Sequence, residues 1–259
     1  MSQAAAKLRD PNSIIEPYAA SPIDLTLLVS CYNESEFIVQ TLDTLCQAIK
    51  EVTLSCEIVV IDDCSKDNSR ELVAAYIAAH PGENIILRQN KKNRGLAQNY
   101  LDGAFLGEGK YYRLIVGDNS EPKDTIVTIL NAVGQADCII PYASSVSGRG
   151  LGRLLISKMY PLLINAITGN RLHYYNGLAV HLRHNVMRWH SNTTGFGFQA
   201  EILCLLLDQG FTYKEIPVAW EEKRFGRSNA VTLRNILSVL HTIIEIANRR
   251  LSRLLYASR

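Results

Sequence analysis

Between residues 25 and 141 the chain alternates two hydrophobic patterns. Short, largely apolar runs at 25–31 (LTLLVSC), 56–61 (CEIVVI), 85–88, 111–116 and 138–140 are each bounded by polar or turn-forming residues and predict five buried strands. Between them, apolar residues recur at helical spacing, as with Ile38, Leu42, Leu45, Ile49 and Val52. This spacing predicts helices over 36–52, after Ser65 or Asp67 to about His80, over 96–106 and over 122–133. Ser65 or Asp67 is the expected cap of the second, and Pro122 suits the first turn of the last. Strands alternating with helices of this length predict an α/β fold, a mostly parallel Rossmann-like sheet flanked by helices.

The pattern changes after Pro141. Residues 142–150 (YASSVSGRG) read as a loop, 151–167 as a mixed apolar helix, and 171–190 as an irregular stretch dense in His, Arg and aromatic residues. A helix is expected over 198–209, a strand over 213–218, and a charged loop over 221–230. In the last segment, 231–256, Leu233, Ile236, Leu237, Leu240, Ile243, Ile244, Ala247, Leu251 and Leu254 predict an amphipathic helix. The expected organisation is a lead-in (1–22), one domain (23–230) with halves at about 23–141 and 142–230, and a C-terminal helix (231–259).

Composition sharpens this picture. With 47% hydrophobic and 20% charged residues, the chain can build a core and is not a disordered polymer. Twenty-seven Lys and Arg against 25 Asp and Glu leave a net charge of +2, which gives no reason to expect nucleic-acid binding. From Val231 onward there are five Arg and one Glu, a net +4, which leaves −2 for residues 1–230. A basic amphipathic helix suits a membrane surface or a membrane partner subunit, the alternative being a helix folded back on the domain or paired with a second subunit, and Arg234, Glu245 and the Arg249-Arg250 pair exclude a spanning helix. Six cysteines without a C-x-x-C pair, and a start without an apolar leader, predict reduced thiols and a cytoplasmic protein, peripheral on the cytoplasmic face of a membrane.

In parallel sheets, ligands bind outside the carboxyl ends of the strands. Asn33-Glu34, Asp62-Asp63 and Asp118-Asn119 follow three of the predicted strands. Such acids can bind the ribose and base of a nucleotide and hold a hard divalent cation against its diphosphate. As single residues, Asp63 and Asp67 could equally be helix caps and Asp118 a turn former.

The segments SCYNE (30–34), VVIDDCSKDNS (59–69), NRGLAQNYLDGA (93–104) and LIVGDNSEP (114–122) resemble the nucleotide-binding half of family 2 glycosyltransferases, enzymes of the GT-A fold. In the second half, GRLLISKMYPLLIN (152–165), YNGLAVHLR (175–183), GFGFQAEILCLLLDQGFTYKEIPV (195–218) and the R-x-G-R-S element (224–228) are most similar to dolichol-phosphate mannose synthase and its bacterial polyprenyl-phosphate relatives. The resemblance implies that Tyr32, Glu34 and Asp63 hold base and ribose, and that Arg94 and Gly95 line the nucleotide side. Asp118 would be the last acid of the D-x-D metal motif, with Ser120 beside it, binding Mg2+ or Mn2+. The first motif acid is here Val116. Arg153 would meet phosphate, Arg149 would add a cation nearby, and Arg224 with Ser228 would belong to a loop closing over the donor.

The resemblance further implies inverting transfer of a sugar from a GDP- or UDP-sugar to a polyprenyl-phosphate lipid. A phosphate oxygen is already an anionic nucleophile, so this transfer needs cations rather than a base. Arg149, Arg153, Arg171, Arg183, Lys223, Arg224 and Arg227 could supply them. Transfer to a sugar or lipid hydroxyl would need a carboxylate base, for which Glu201 is the candidate. A nucleotide-sugar-binding subunit without turnover is the other alternative. His173-Tyr174-Tyr175-Asn176-Gly177 departs from the synthases' acceptor motif, and its rings either contact another acceptor or pack under the loop. His173, His181, His184 and His190 lack zinc-enzyme spacing and read as surface or loop residues, and G-x-G-x-x-A at 195–200 lacks the preceding strand of a dinucleotide fingerprint.

Overall fold

The computed structural model describes residues 22–143, 151–189, 197–219 and 233–256. The first half runs β1 (Leu25–Cys31), α1 (Ile38–Lys50), β2 (Cys56–Asp62), α2 (Ser69–Ala79), β3 (Ile85–Gln89), α3 (Leu96–Leu106), β4 (Tyr111–Val116), α4 (Lys123–Leu130) and β5 (Cys138–Ala143). The second adds α5 (Leu151–Thr168), β6 (Val180–Leu182), α6 (Arg183–Met187), α7 (Phe198–Asp208), β7 (Tyr213–Val218) and α8 (Leu233–Tyr256). The described strands form one sheet in the order β3-β2-β1-β4-β6-β5-β7. All pair in parallel except β6, which is antiparallel to both neighbours.

Strand alternation divides the core in two. Leu25, Leu27 and Val29 of β1 point toward α1, α2 and α4, while Leu28 points toward the layer of α3, α5 and α7. Both faces are covered, which is why the strands read as continuous apolar runs. Each fully buried Leu or Ile contributes roughly 1.5–3 kcal/mol. All six cysteines are free, and burial pushes Cys31 up to about 11 and Cys56, Cys138 and Cys204 up to about 12.

Three expectations are corrected. The stretch 171–190 is not wholly irregular, because it holds β6 in the middle of the sheet. Three residues are too few for a readable period. Neither Ser65 nor Asp67 is the residue preceding α2; Asn68 is, without a side-chain cap bond. Asp67 instead accepts bonds from the Ser69 amide and hydroxyl and from the Ser35 amide, tying the loop after β1 to the start of α2. Finally, His181 is not a surface residue. It is completely buried on β6, 3.6 Å from Cys138 Sγ, and burial pushes its imidazole down to about 4.

α8 packs against α5 and α7. Thr242 and Ile246 face inward and are buried, and a Cβ on Gly197 would stand 2.0 Å from Thr242 Oγ1. The arginines turn to the same side: Arg249 pairs with Glu201 at 3.1 Å, and Arg250 and Arg253 pair with Asp208 at 3.0 and 3.1 Å. Leu237, Leu240, Ile244, Leu251 and Leu255 are left exposed, as are Met159, Leu162 and Leu163 on α5. Among the described residues no helix is long and apolar enough to cross a membrane.

Candidate active site

The register brings the strand ends level. Ser30 lies beside Val116, Cys31 beside Asp62, and Asp62 beside Gln89. The turns that follow, carrying Glu34, Asp63, Asn90 and Asp118, therefore meet at one pole of the sheet.

The loops after β1 and β2 hold each other. The Asn33 amide donates to Ser65 Oγ at 3.0 Å, and the Lys66 amide donates to Asn33 Oδ1 at 2.7 Å. Asn33 adopts φ 56° and Cys64 φ 64°, the left-handed region that folds each loop back on its strand. Glu34 is buried, its amide donating to Ser69 Oγ at 2.9 Å, while Tyr32 is 41% exposed at the rim.

Asp63 is 3% exposed, and its carboxylate is heavily used. Oδ1 accepts from Asn90 Nδ2 and the Arg94 amide, both at 2.8 Å, and Oδ2 accepts from the Gly95 amide at 2.9 Å. Gly95, at φ 82°, precedes α3 without a side-chain cap, so this carboxylate faces the helix N-terminus, where negative charge is favoured. The Arg94 guanidinium turns to Asp102 of α3, which also meets Arg88 at 3.1 Å. Asn90 and Asn99, which bond to each other at 2.7 Å, are site residues that sequence reasoning missed. Asn90 shows only as one more polar residue at a strand end.

The turn after β4 leans on α1. Thr41 Oγ1 donates to the Gly117 carbonyl at 2.9 Å and Thr44 Oγ1 to Asn119 Oδ1 at 3.1 Å. A Cβ on Gly117 would stand 3.0 Å from the Ser30 carbonyl and 3.3 Å from Glu34 Cγ, so glycine lets the turn press against Glu34. Asp118 Oδ1 accepts from the Ser120 amide at 3.1 Å. Among the described residues no group of three or more His, Cys, Asp or Glu could hold a metal. One carboxylate still fits a cation such as Mg2+ that draws its remaining ligands from substrate phosphates and water.

In the second half, residues 173–179 pack beside β4 and β5. β6 pairs only with the amino-terminal half of β4, and the segment before it passes between β4 and β5. A Cβ on Gly177 would sit 2.3 Å from the Pro141 carbonyl oxygen. Tyr175 is buried, donating to Asn165 Oδ1 of α5 at 2.7 Å, and His173 stacks on Tyr142 at 4.6 Å and bonds to Glu215 at 2.8 Å. Two of the three rings in this departure thus pack on neighbouring elements.

The structure brings together Glu34, Asp63, Gly95, Asp118 and Ser120, with Tyr32 and Arg94 at the rim. Arg149, Arg224 and Ser228 lie outside the described residues, as does the side chain of Arg153, whose backbone is in the first turn of α5. Glu201 is fully buried against Arg249, so a base at this position would first have to leave its ion pair. Arg183, expected among the acceptor-half cations, lies away from this pole. It bonds to the carbonyls of Gly109 and Ala104, near the amino end of β4.

A parallel α/β sheet with acids and tight turns at its carboxyl pole is the framework of the GT-A glycosyltransferases, and the comparisons agree. The chain belongs to Glycosyl transferase family 2, whose model matches residues 26–183. It is 34% identical over 108 residues to dolichyl-phosphate beta-glucosyltransferase of Dictyostelium discoideum, covering 39% of this chain and 33% of that protein. It is 24% identical over 235 residues to undecaprenyl-phosphate 4-deoxy-4-formamido-L-arabinose transferase of Yersinia pestis, covering 89% and 69%. Among solved structures, glucosyl-3-phosphoglycerate synthase from Mycobacterium tuberculosis, in complex with Mn2+, UDP and glucosyl-3-phosphoglycerate, superposes with a TM-score of 0.64 at 14% identity, covering 89% of this chain and 80% of that one.

Proposed function

We propose that this chain transfers a sugar, with inversion, from a nucleotide-sugar donor to the phosphate of a polyprenyl-type lipid. The observation that carries the reading is the convergence of Glu34, Asp63 and Asp118 at the carboxyl pole of the sheet in a family 2 chain. The relatives that act on dolichyl and undecaprenyl phosphates support the acceptor class. Tyr32, Glu34 and Asp63 orient base and ribose, and the amides of the 94–95 turn are held at that side by Asp63. Asp118 would hold Mg2+ or Mn2+, which when bound neutralises the departing diphosphate. Arg149, Arg153, Arg224 and Ser228 are assigned to the acceptor and donor phosphates on the resemblance alone. The test is nucleotide release from GDP- and UDP-sugars with Mn2+ and a prenyl phosphate. Asp118→Asn should lower kcat by about 100-fold or more, as loss of a metal ligand removes charge stabilisation. Release unchanged by that substitution or by EDTA removes the metal assignment. Transfer to hydroxyl acceptors alone moves attention to Glu201.

The same reading places residues 23–230 as the catalytic unit and α8, with α5, against the cytoplasmic face of a membrane. The exposed leucines of α8 and α5 support it: the two helices pack together, and Leu162, Leu163, Leu240, Ile244 and Leu251 are each at least 46% exposed. Arg249, Arg250 and Arg253 of this basic helix are engaged with Glu201 and Asp208, so apolar contact carries the binding in this reading. Removing α8 would uncover Thr242 and Ile246, so full-length Leu240→Ser/Ile244→Ser is the better probe. The parent should float with liposomes and this variant should stay behind. Equal behaviour of the two removes the surface from the proposal.

A further inference from the structure

The middle of β4 carries a charge that the reading above does not use. Arg113 is 0% exposed, lying beside Leu27 of β1 and Val180 of β6. Its Nη2 donates to Glu121 Oε2 at 2.7 Å, and Glu121 is itself 4% exposed. Its Nε donates to the Leu178 carbonyl at 3.1 Å. The pair brackets residues 116–120, the turn that carries Asp118, and the same guanidinium ties in the 173–179 segment on the acceptor side.

A buried ion pair loses hydration on both partners, and well-packed apolar residues of similar volume often give equal or greater stability. This pair is also not arranged for its own optimum. A bidentate fork would satisfy both atoms on each side, whereas here Arg113 Nη1 and Glu121 Oε1 are buried with no hydrogen-bond partner among the described residues. Stability is therefore a poor account of it, and position is a better one. We infer that Arg113 and Glu121 are positioning residues that set the turn presenting Asp118 and lock it to the acceptor-side segment. Glu121 thus acts one step removed from the metal, through the turn that carries Asp118. The inference rests on the reading that Asp118 faces the donor diphosphate.

The test uses full-length Arg113→Met/Glu121→Leu, because either single truncation would leave a buried charge and endanger folding. The double variant should melt within about 4 °C of the parent. Its kcat should fall about 10–100-fold, and Mn2+ activation should need correspondingly more metal, as for lost support of a metal ligand. By calorimetry, GDP or UDP in Mn2+ should bind about tenfold more weakly or worse, while GMP and UMP binding stays unchanged, because Asp63 is untouched. Arg113→Lys, which keeps the buried cation and a donor for Glu121, should recover most of kcat. Parent-like kcat and Mn2+ dependence in the double variant, with Asp118→Asn inactive, overturns the inference. So does a fall in melting temperature above 10 °C, which would make the pair structural. Parent-like activity of Asp118→Asn instead removes the underlying reading and leaves the pair to be judged by its calorimetry.

Discussion

Asp63 should matter first as a scaffold, and the size of the effect follows from its bonds. In Asp63→Ala the Asn90 amide, 3% exposed and sealed by Asn99, loses one acceptor and cannot be rehydrated cheaply, at about 1–3 kcal/mol. The Arg94 and Gly95 amides lie nearer the surface and can find water, so each lost bond there costs about 0.5–1.5 kcal/mol. The sum is about 2–6 kcal/mol, which at about 2–4 °C per kcal/mol lowers the melting temperature by about 4–24 °C. Asp63→Asn keeps one oxygen, enough for Asn90 and Arg94, but sets an amide N–H2 against the Gly95 N–H. It should cost about 1–3 kcal/mol, the desolvation of one unmet donor. Thermal melts by circular dichroism measure both, and hydrogen exchange should show the amides of residues 94 and 95 opening in the same order. An alanine variant that melts within 1 °C of the parent, with those amides still protected, would refute the scaffold role.

Two further predictions concern the second half. His181 is held neutral by burial with its pKa at about 4, so the unfolded chain takes up its proton at higher pH than the folded one. Stability should be unaffected by this group above pH 7 and fall as pH drops from about 6.5 through 4, by about 3 kcal/mol in all at 1.36 kcal/mol per pH unit. Urea titrations of the parent and His181→Leu should diverge over that range, and parallel curves would refute the effect. Gly177→Ala should destabilise by about 1–3 kcal/mol, because its Cβ would meet a backbone carbonyl at 2.3 Å. Gly82→Ala, with nothing within 4 Å, is the control in the same melts and should be near neutral.

Much of the site can be read along the chain because it is made of strand ends. Residues 31–34, 62–63 and 116–118 are where apolar runs stop, and parallel pairing in simple register forces such points to one pole. Local period and motif spacing are properties of contiguous residues, so they are available before folding. The motifs that carried the family resemblance are of this kind, and the strand and helix bounds of the first half differ from expectation by only a few residues.

What the sequence could not determine depends on residues far apart in the chain. The spacing of 231–256 predicts an amphipathic helix, but which face of α8 meets the protein is set with Glu201 and Asp208 of α7, which pair with Arg249, Arg250 and Arg253 while Leu237, Leu240, Leu251 and Leu255 stay exposed. Arg113 and Glu121 look like ordinary charges in sequence. Only the burial of β4 between β1 and β6 makes them a closed pair, because an ion pair's role depends on the solvent it has lost. β6 itself is three residues long, and its place in the sheet follows from the gap between β4 and β5. Periodicity along a chain reports which side of an element is apolar; what that side touches is set by long-range packing, and only the folded structure contains it.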